Sequence, residues 1–177
     1  MMAEGIAAPQ LTVREAREAM EVLLEQERVL VFERFGAREA LELGCIAASL
    51  APTFGEGVSV TITRESDGVR LFQWVADDKG DRNPLFADGK RASALKAGHA
   101  APWAQLEAAV AGDTSHVWDR VPDEVPACGA FPLRVGREWV ATIAVSGYME
   151  GLDHELIVRA LEQALDVKAP RWTGPVV

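Results

Sequence analysis

Between Val58 and Val75 the chain alternates, turns and alternates again. Val58, Val60 and Ile62 are interleaved with Ser59, Thr61 and Thr63, the period of two that puts apolar side chains on one face of a β-strand. Asp67-Gly68 follows, a pair that tolerates the positive φ of a tight hairpin turn. Val69, Leu71, Phe72, Trp74 and Val75 then lead back. A second hairpin of the same kind spans 130–146. Its first strand is Ala130–Val135 and its turn Gly136-Arg137; Trp139, Ala141, Ile143 and Val145 then alternate with Val140, Thr142, Ala144 and Ser146. Strands that meet through hairpins rather than helical crossovers predict a largely antiparallel sheet. Pro132 has no N–H to donate, which predicts an edge strand or a bulge at that point.

Helical signals fill the intervals. Thr12-x-x-Glu15 is a capping box, and Val13, Ala16, Met20, Leu23 and Leu24 follow at helical spacing to about Gln26. Val29–Phe32 reads as a short strand or extended link. After Gly36, Ala40, Leu43, Gly44, Ala47, Leu50 and Ala51 share one face until Pro52 stops the helix. Asn83-Pro84 is expected to be an N-cap with proline at the first helical position, opening a helix to Ala97 that Gly98 ends. Pro102 starts another, through Trp103, Leu106 and Val110, which Gly112 closes. Residues 113–129 form a long connection, the kind of segment that is usually functional or mobile. Asp153 is expected to cap the last helix, whose buried stripe is Leu156, Ile157, Ala160, Leu161, Ala164 and Leu165.

The fold expected is therefore α+β, an antiparallel sheet built from two β-hairpins with helices packed against it. One domain covers 11–166, between a flexible tail at 1–10 and an extended tail at 167–177 that carries Trp172 and is free to lie on a partner subunit. A chain of 177 residues is long enough to bury a core without disulfide or metal. The net charge of −9 repels phosphate backbones and anionic bilayers, so neither nucleic acid nor membrane is expected as a partner. Cys45 and Cys128 form no CxxC pair and read as reduced thiols. The first ten residues lack the basic and apolar regions of a signal peptide, no run reaches the ~20 apolar residues of a membrane span, and a cytoplasmic protein is expected.

Three segments together resemble a known family. Cys128-Gly129-Ala130-Phe131-Pro132-Leu133, then Thr142-Ile143-Ala144-Val145-Ser146-Gly147, then Asp153-His154, are similar to the signature of the GlcG/HbpS-like superfamily, most of all its haem-degrading-domain branch. Asn83 followed by Lys90 on a helix, and the Phe32, Phe35, Ala40-Leu41, Leu43-Gly44 pattern, extend the resemblance over about 25–166. It implies a profilin-like fold, homo-oligomers, and a haem or tetrapyrrole ligand; related domains end the PduO-type cobalamin adenosyltransferases. The chain departs from the pattern at Cys128, where the first of two glycines is usual, at Tyr148, where leucine is common, and at Gly89-Lys90-Arg91, where an Arg-Lys pair is typical.

The candidate ligand-binding residues are Lys90, Gly129, Phe131, Pro132, Ser146 and Gly147. Gly129 allows close backbone approach, or simply enters a strand. Ser146-Gly147 ends a strand whose Thr142, Ala144 and Ser146 face has room for a ligand or for a helix. Lys90 could hold a haem propionate or a small acid; Arg91 reads as a solvated or salt-bridged residue. His99 and His116 are possible haem axial ligands, and His154 reads as helix-start packing. Cys128, Tyr148 and Met149 are the other iron-ligand types present. Trp103, Trp118, Trp139 and Trp172 suit stacking on a planar ligand or packing in a core. The sequence contains no metal motif, P-loop, GxGxxG or nucleophile elbow. Three functions stay open: a haem- or tetrapyrrole-binding, even haem-degrading protein; a non-enzymatic oligomeric interaction protein; and an enzyme or sensor for a small carboxylate or other metabolite.

Overall fold

The computed structural model describes residues 11–112, 123–148 and 151–174. In chain order its elements are α1 (Val13–Val29), β1 (Val31–Phe32), α2 (Ala37–Leu50), a 3-10 turn (Ala51–Phe54), β2 (Ser59–Arg64), β3 (Arg70–Val75), α3 (Arg82–Ala97), α4 (Trp103–Ala111), β4 (Ala130–Val135), β5 (Glu138–Ser146) and α5 (Leu152–Leu165). The capping box forms as the sequence predicts: the Thr12 hydroxyl accepts from the Glu15 N–H, and the Glu15 carboxylate accepts from the Thr12 N–H at 2.8 Å.

Both hairpins form, and β2 joins them by pairing antiparallel with β5. The sheet order is β1-β4-β5-β2-β3. One pair departs from the antiparallel expectation. β1 runs parallel to β4, with Val31 opposite Arg134 and Phe32 opposite Val135.

That pairing places β4 inside the sheet, so Pro132 does not mark an edge strand. The Val145 N–H donates to the Gly129 carbonyl at 2.7 Å, and the register holds from Ala130–Ala144 to Leu133–Ala141. The odd-numbered residues of β4 therefore exchange bonds with β5, and the Pro132 nitrogen faces the other way. There β1 reaches only Arg134 and Val135, so the missing donor costs no ladder bond. A bulge does follow, between Leu133 and Arg134.

The two faces of the sheet differ in side-chain size. Val58, Val60, Ile62, Phe131, Leu133, Ile143 and Val145 face one way and pack with α1, α2, α4 and α5 in the main core. Gly44 lets α2 settle on β3, because a Cβ there would run into the Phe72 ring. On the other face Ala130 and Ala144 meet Ala87 and Ala94 of α3. Ser59, Thr61 and Thr63 alternate as a solvated face would, yet they are buried. The small side chains of this face let α3 approach closely, and its cover leaves the Ser59 and Thr63 hydroxyls without a described hydrogen-bond partner.

Two predicted caps shift. α3 opens at Arg82, and the Asn83 side chain accepts from the Gly80 N–H at 3.2 Å, within the preceding turn. α5 opens after Gly151, and Asp153 lies in its first turn with its carboxylate engaged elsewhere. The tail after α5 lies on its own chain: the Gln26 carboxamide donates to the Pro170 carbonyl at 2.8 Å, and Arg171 pairs with Glu155 and Glu162. No described helix is long and apolar enough to cross a membrane.

Candidate functional site

Lys90 stands on the face of α3 that meets the sheet, and only 6% of it is exposed. Its ammonium donates to the Val145 carbonyl at 2.9 Å and to the Asp153 carboxylate at 2.5 Å. The Tyr148 N–H donates to the other Asp153 oxygen at 3.0 Å, and the Gly147 N–H also faces the carboxylate. Burial pushes the Asp153 carboxyl above its ordinary range; Lys90 and the two N–H groups oppose that without cancelling it. A buried charge is tolerable only when paired and hydrogen-bonded in this way.

Gly129 belongs to the same place. Its φ is +116°, and a Cβ there would collide with the Val145 carbonyl, with Asp153 Cβ and with Lys90 Nζ. Cys128 lies alongside, where burial pushes its thiol up to about 12. Three of the six candidate residues, Lys90, Gly129 and Gly147, thus converge on one buried ion pair. Phe131 points into the main core, its ring centre 5.9 Å from that of His154, and Pro132 is buried beside it in β4. Ser146 is buried opposite Ser59, on the face that α3 covers. Arg91 makes a two-point contact with Glu65 at 2.9 and 2.5 Å, and Glu65 in turn accepts from Thr142.

A cavity of about 200 Å³ opens on the other side of Cys128, between α1, α4, the start of α5 and the tail. His154 is in its wall. The ring's Nε2 lies 2.8 Å from the Gln26 Oε1, whose own amide nitrogen is committed to Pro170. Nε2 therefore carries the proton, and Nδ1 is a bare acceptor, buried without a described partner. Burial pushes this imidazole down to about 4, so it is neutral at pH 7.

His99 is held differently. Its Nδ1 lies 3.1 Å from the Glu27 carboxylate, its ring stacks on Trp103 at 4.0 Å, and no described residue partners its Nε2. Glu27 is itself buried, accepting from the Ala100 N–H at 2.8 Å, and Arg134 lies 3.8 Å from it with its guanidinium over the Trp139 ring. An imidazole with one nitrogen on a carboxylate and the other open is the arrangement metal-ligating histidines adopt. It fits haem iron, with Arg134 as the neighbouring cation. The cavity does not fit haem, being smaller than the roughly 300 Å³ at which pockets for drug-sized ligands begin. His116, Trp118 and Met149 lie outside the described residues.

The sequence reading missed Gln26 and Glu27, and gave Asp153 only a capping role. A signal for the first two exists. Ala16, Ala19 and Leu23 are the buried stripe of α1, and the same spacing continues onto Gln26 and Glu27, where polar residues occupy positions that an apolar stripe would fill. No local signal connects Asp153 to Lys90, 63 residues away.

The family described as haem-degrading protein, HbpS-like, matches residues 35–162. The UPF0303 protein SCO2848 of Streptomyces coelicolor is 32% identical over 144 residues, covering 80% of this chain and 90% of that protein. The crystal structure of the Ybr137w protein superposes with a TM-score of 0.74 at 19% identity, over 87% of this chain and 94% of that one. A PduOC–haem complex superposes at 0.59 with 16% identity, over 77% of this chain and 99% of its own. The profilin-like α+β fold is shared with these structures, and the chain belongs to the HbpS-like haem-degrading protein family.

Proposed function

We propose that this protein binds haem, or a tetrapyrrole of that class, on the surface around His99. The observation that carries this reading is the imidazole held by the buried Glu27, with no partner for its Nε2 among the described residues. Membership of the HbpS-like family supports it, as does a structural neighbour solved as a haem complex. His99 would supply an axial nitrogen, Glu27 would orient the ring, and Arg134 would meet a propionate. Bound haem supplies a redox-active iron. Lys90, Gly129, Phe131, Pro132, Ser146 and Gly147 act in this reading as the scaffold behind the site. The small-carboxylate alternative is disfavoured because Lys90 already holds Asp153.

Titration of the full chain with haemin is expected to give a saturable Soret shift at one site per chain. His99→Ala should weaken it at least about tenfold, and Glu27→Gln by about 10-fold or more through loss of ring orientation. No saturable shift, or an unchanged affinity in His99→Ala, removes the proposal. The homo-oligomer implied by the family resemblance is part of it, and light scattering at micromolar concentration is expected to show a mass above that of one chain. A monomer at all concentrations would discard that part alone.

A further inference from the structure

β3 is the last strand of the sheet, and among the described residues no strand pairs with its outer side. Its backbone has a readable parity. The Ala76 N–H donates to the Val58 carbonyl at 3.0 Å, and the same register sets Trp74 opposite Val60 and Phe72 opposite Ile62. These even-numbered residues exchange bonds with β2, so Gln73 and Val75 turn their N–H and C=O groups outward. Toward the hairpin turn the ladder is interrupted. Ile62 pairs with Phe72 and Thr63 with Arg70, which leaves Leu71 as the extra residue of a bulge.

The side chains along this edge are apolar and open. Phe72 and Trp74 lie on the face of Ile62 and Val60, the side that α2 covers, and Trp74 is 48% exposed. Phe72 meets α2 at Gly44. Leu41 and Ala48, three residues before Gly44 and four after it, share its side of the helix, and Leu41 is 57% exposed. An unpaired strand edge bordered by exposed apolar side chains is a template for another strand.

We propose that β3 pairs antiparallel with β3 of a second copy of this chain about a two-fold axis, joining two five-stranded sheets into one. Symmetry narrows the register. Gln73 opposite Gln73 would carry Val75 onto the bulge, and Val75 opposite Val75 would carry Gln73 past the strand end to Asp77. Gln73 opposite Val75 uses both outward-facing residues. It also sets Trp74 against Trp74 of the second copy in a non-hydrogen-bonded pair, where cross-strand side chains approach most closely. Beyond the bulge, Arg70 comes level with Asp77 of the second copy, once on each side of the axis, and Asp77 has no ion pair among the described residues. An edge that matches itself in backbone, aromatic ring and charge selects a second copy over an unrelated strand. The proposal rests on the homo-oligomer of the preceding section and names its contact; it does not involve haem.

The test is amide hydrogen exchange on the full-length protein, read at Gln73 and Val75, beside light scattering at the same micromolar concentration. Both amides are expected to be protected, and to exchange faster as the protein is diluted. Trp74→Glu sets two carboxylates against each other at the axis, and Gln73→Pro removes an outward N–H without touching the β2 ladder. Each should weaken the association at least about tenfold, so that protection at Val75 is lost and the mass falls to half or less. Leu85→Glu alters an apolar residue on α3 that is 56% exposed, and should change neither. Should Gln73→Pro not fold, Trp74→Glu still decides, because its side chain is half in solvent. A mass above one chain with Gln73 and Val75 unprotected, or unchanged by Trp74→Glu, overturns this interface and leaves the homo-oligomer standing. A single-chain mass throughout overturns both, and the edge is then left to a partner of another kind.

Discussion

Replacing Lys90 by alanine is expected to lower the stability of the chain by about 3–5 kcal/mol, read as a shift of the denaturant midpoint at pH 7. The substitution leaves the Asp153 carboxylate, 3% exposed, without its cation, and the Val145 carbonyl without one of its donors. A domain of this kind has about 5–15 kcal/mol in total, so the loss would be a large fraction of the whole. Most of it comes from the stranded charge, which yields a second expectation. Lys90→Met combined with Asp153→Asn should recover much of the loss, because asparagine still accepts from the Tyr148 N–H and nothing buried is charged.

The pH dependence has a definite sign. The folded-state pKa of Asp153 lies above its unfolded value, raised by burial, and loss of Lys90 raises it further. Between the two values the folded chain binds more protons than the unfolded one, so stability falls as pH rises through that window and is regained as pH falls. The penalty of Lys90→Ala should therefore shrink in acid. A cost under about 1 kcal/mol at pH 7, the range of an exposed pair, would show that the two charges are not buried together.

Gly129→Ala is the other change with a large expected effect, about 3–5 kcal/mol by thermal or chemical unfolding. Two penalties combine there. The backbone is at φ +116°, where an L side chain is strained, and the added Cβ overlaps the Val145 carbonyl, Asp153 Cβ and Lys90 Nζ. Gly68 provides an internal control. It too has positive φ, +71°, but a Cβ would meet nothing within 4 Å, so Gly68→Ala should cost only the backbone part, about 1 kcal/mol. The difference between the two variants measures the overlap at the ion pair. Equal costs would mean that Gly129 serves only the turn of the chain into β4.

How far the fold and the site could be read from the sequence follows the range of the interactions involved. The alternation in β2 and β5, the Asp67-Gly68 turn and the Thr12–Glu15 box are each settled within about ten residues, and each forms as expected. The same alternation puts Ser59, Thr61 and Thr63 on the opposite face but does not say what that face meets. α3 covers them, brought in from beyond β3, and short-range pattern carries no trace of it. The edge reading of Pro132 failed similarly. What a strand's outer side meets depends on β1, about a hundred residues earlier in the chain. At the site, Lys90 and Gly129 were visible as unusual residues, but their meeting with Asp153 was not.

By itself the sequence determined the element types, the two hairpins, the capping box and the kinship with the HbpS-like family, because local dihedral preference and side-chain period are written in neighbouring residues. Tertiary structure alone decided that Lys90 closes on Asp153, that Glu27 orients His99, and that the tail walls a cavity against α1. Each of these joins residues 63 to 144 positions apart. Such contacts arise from how helices pack on the sheet, where burial removes water and forces each polar group to find its partner in space rather than in sequence.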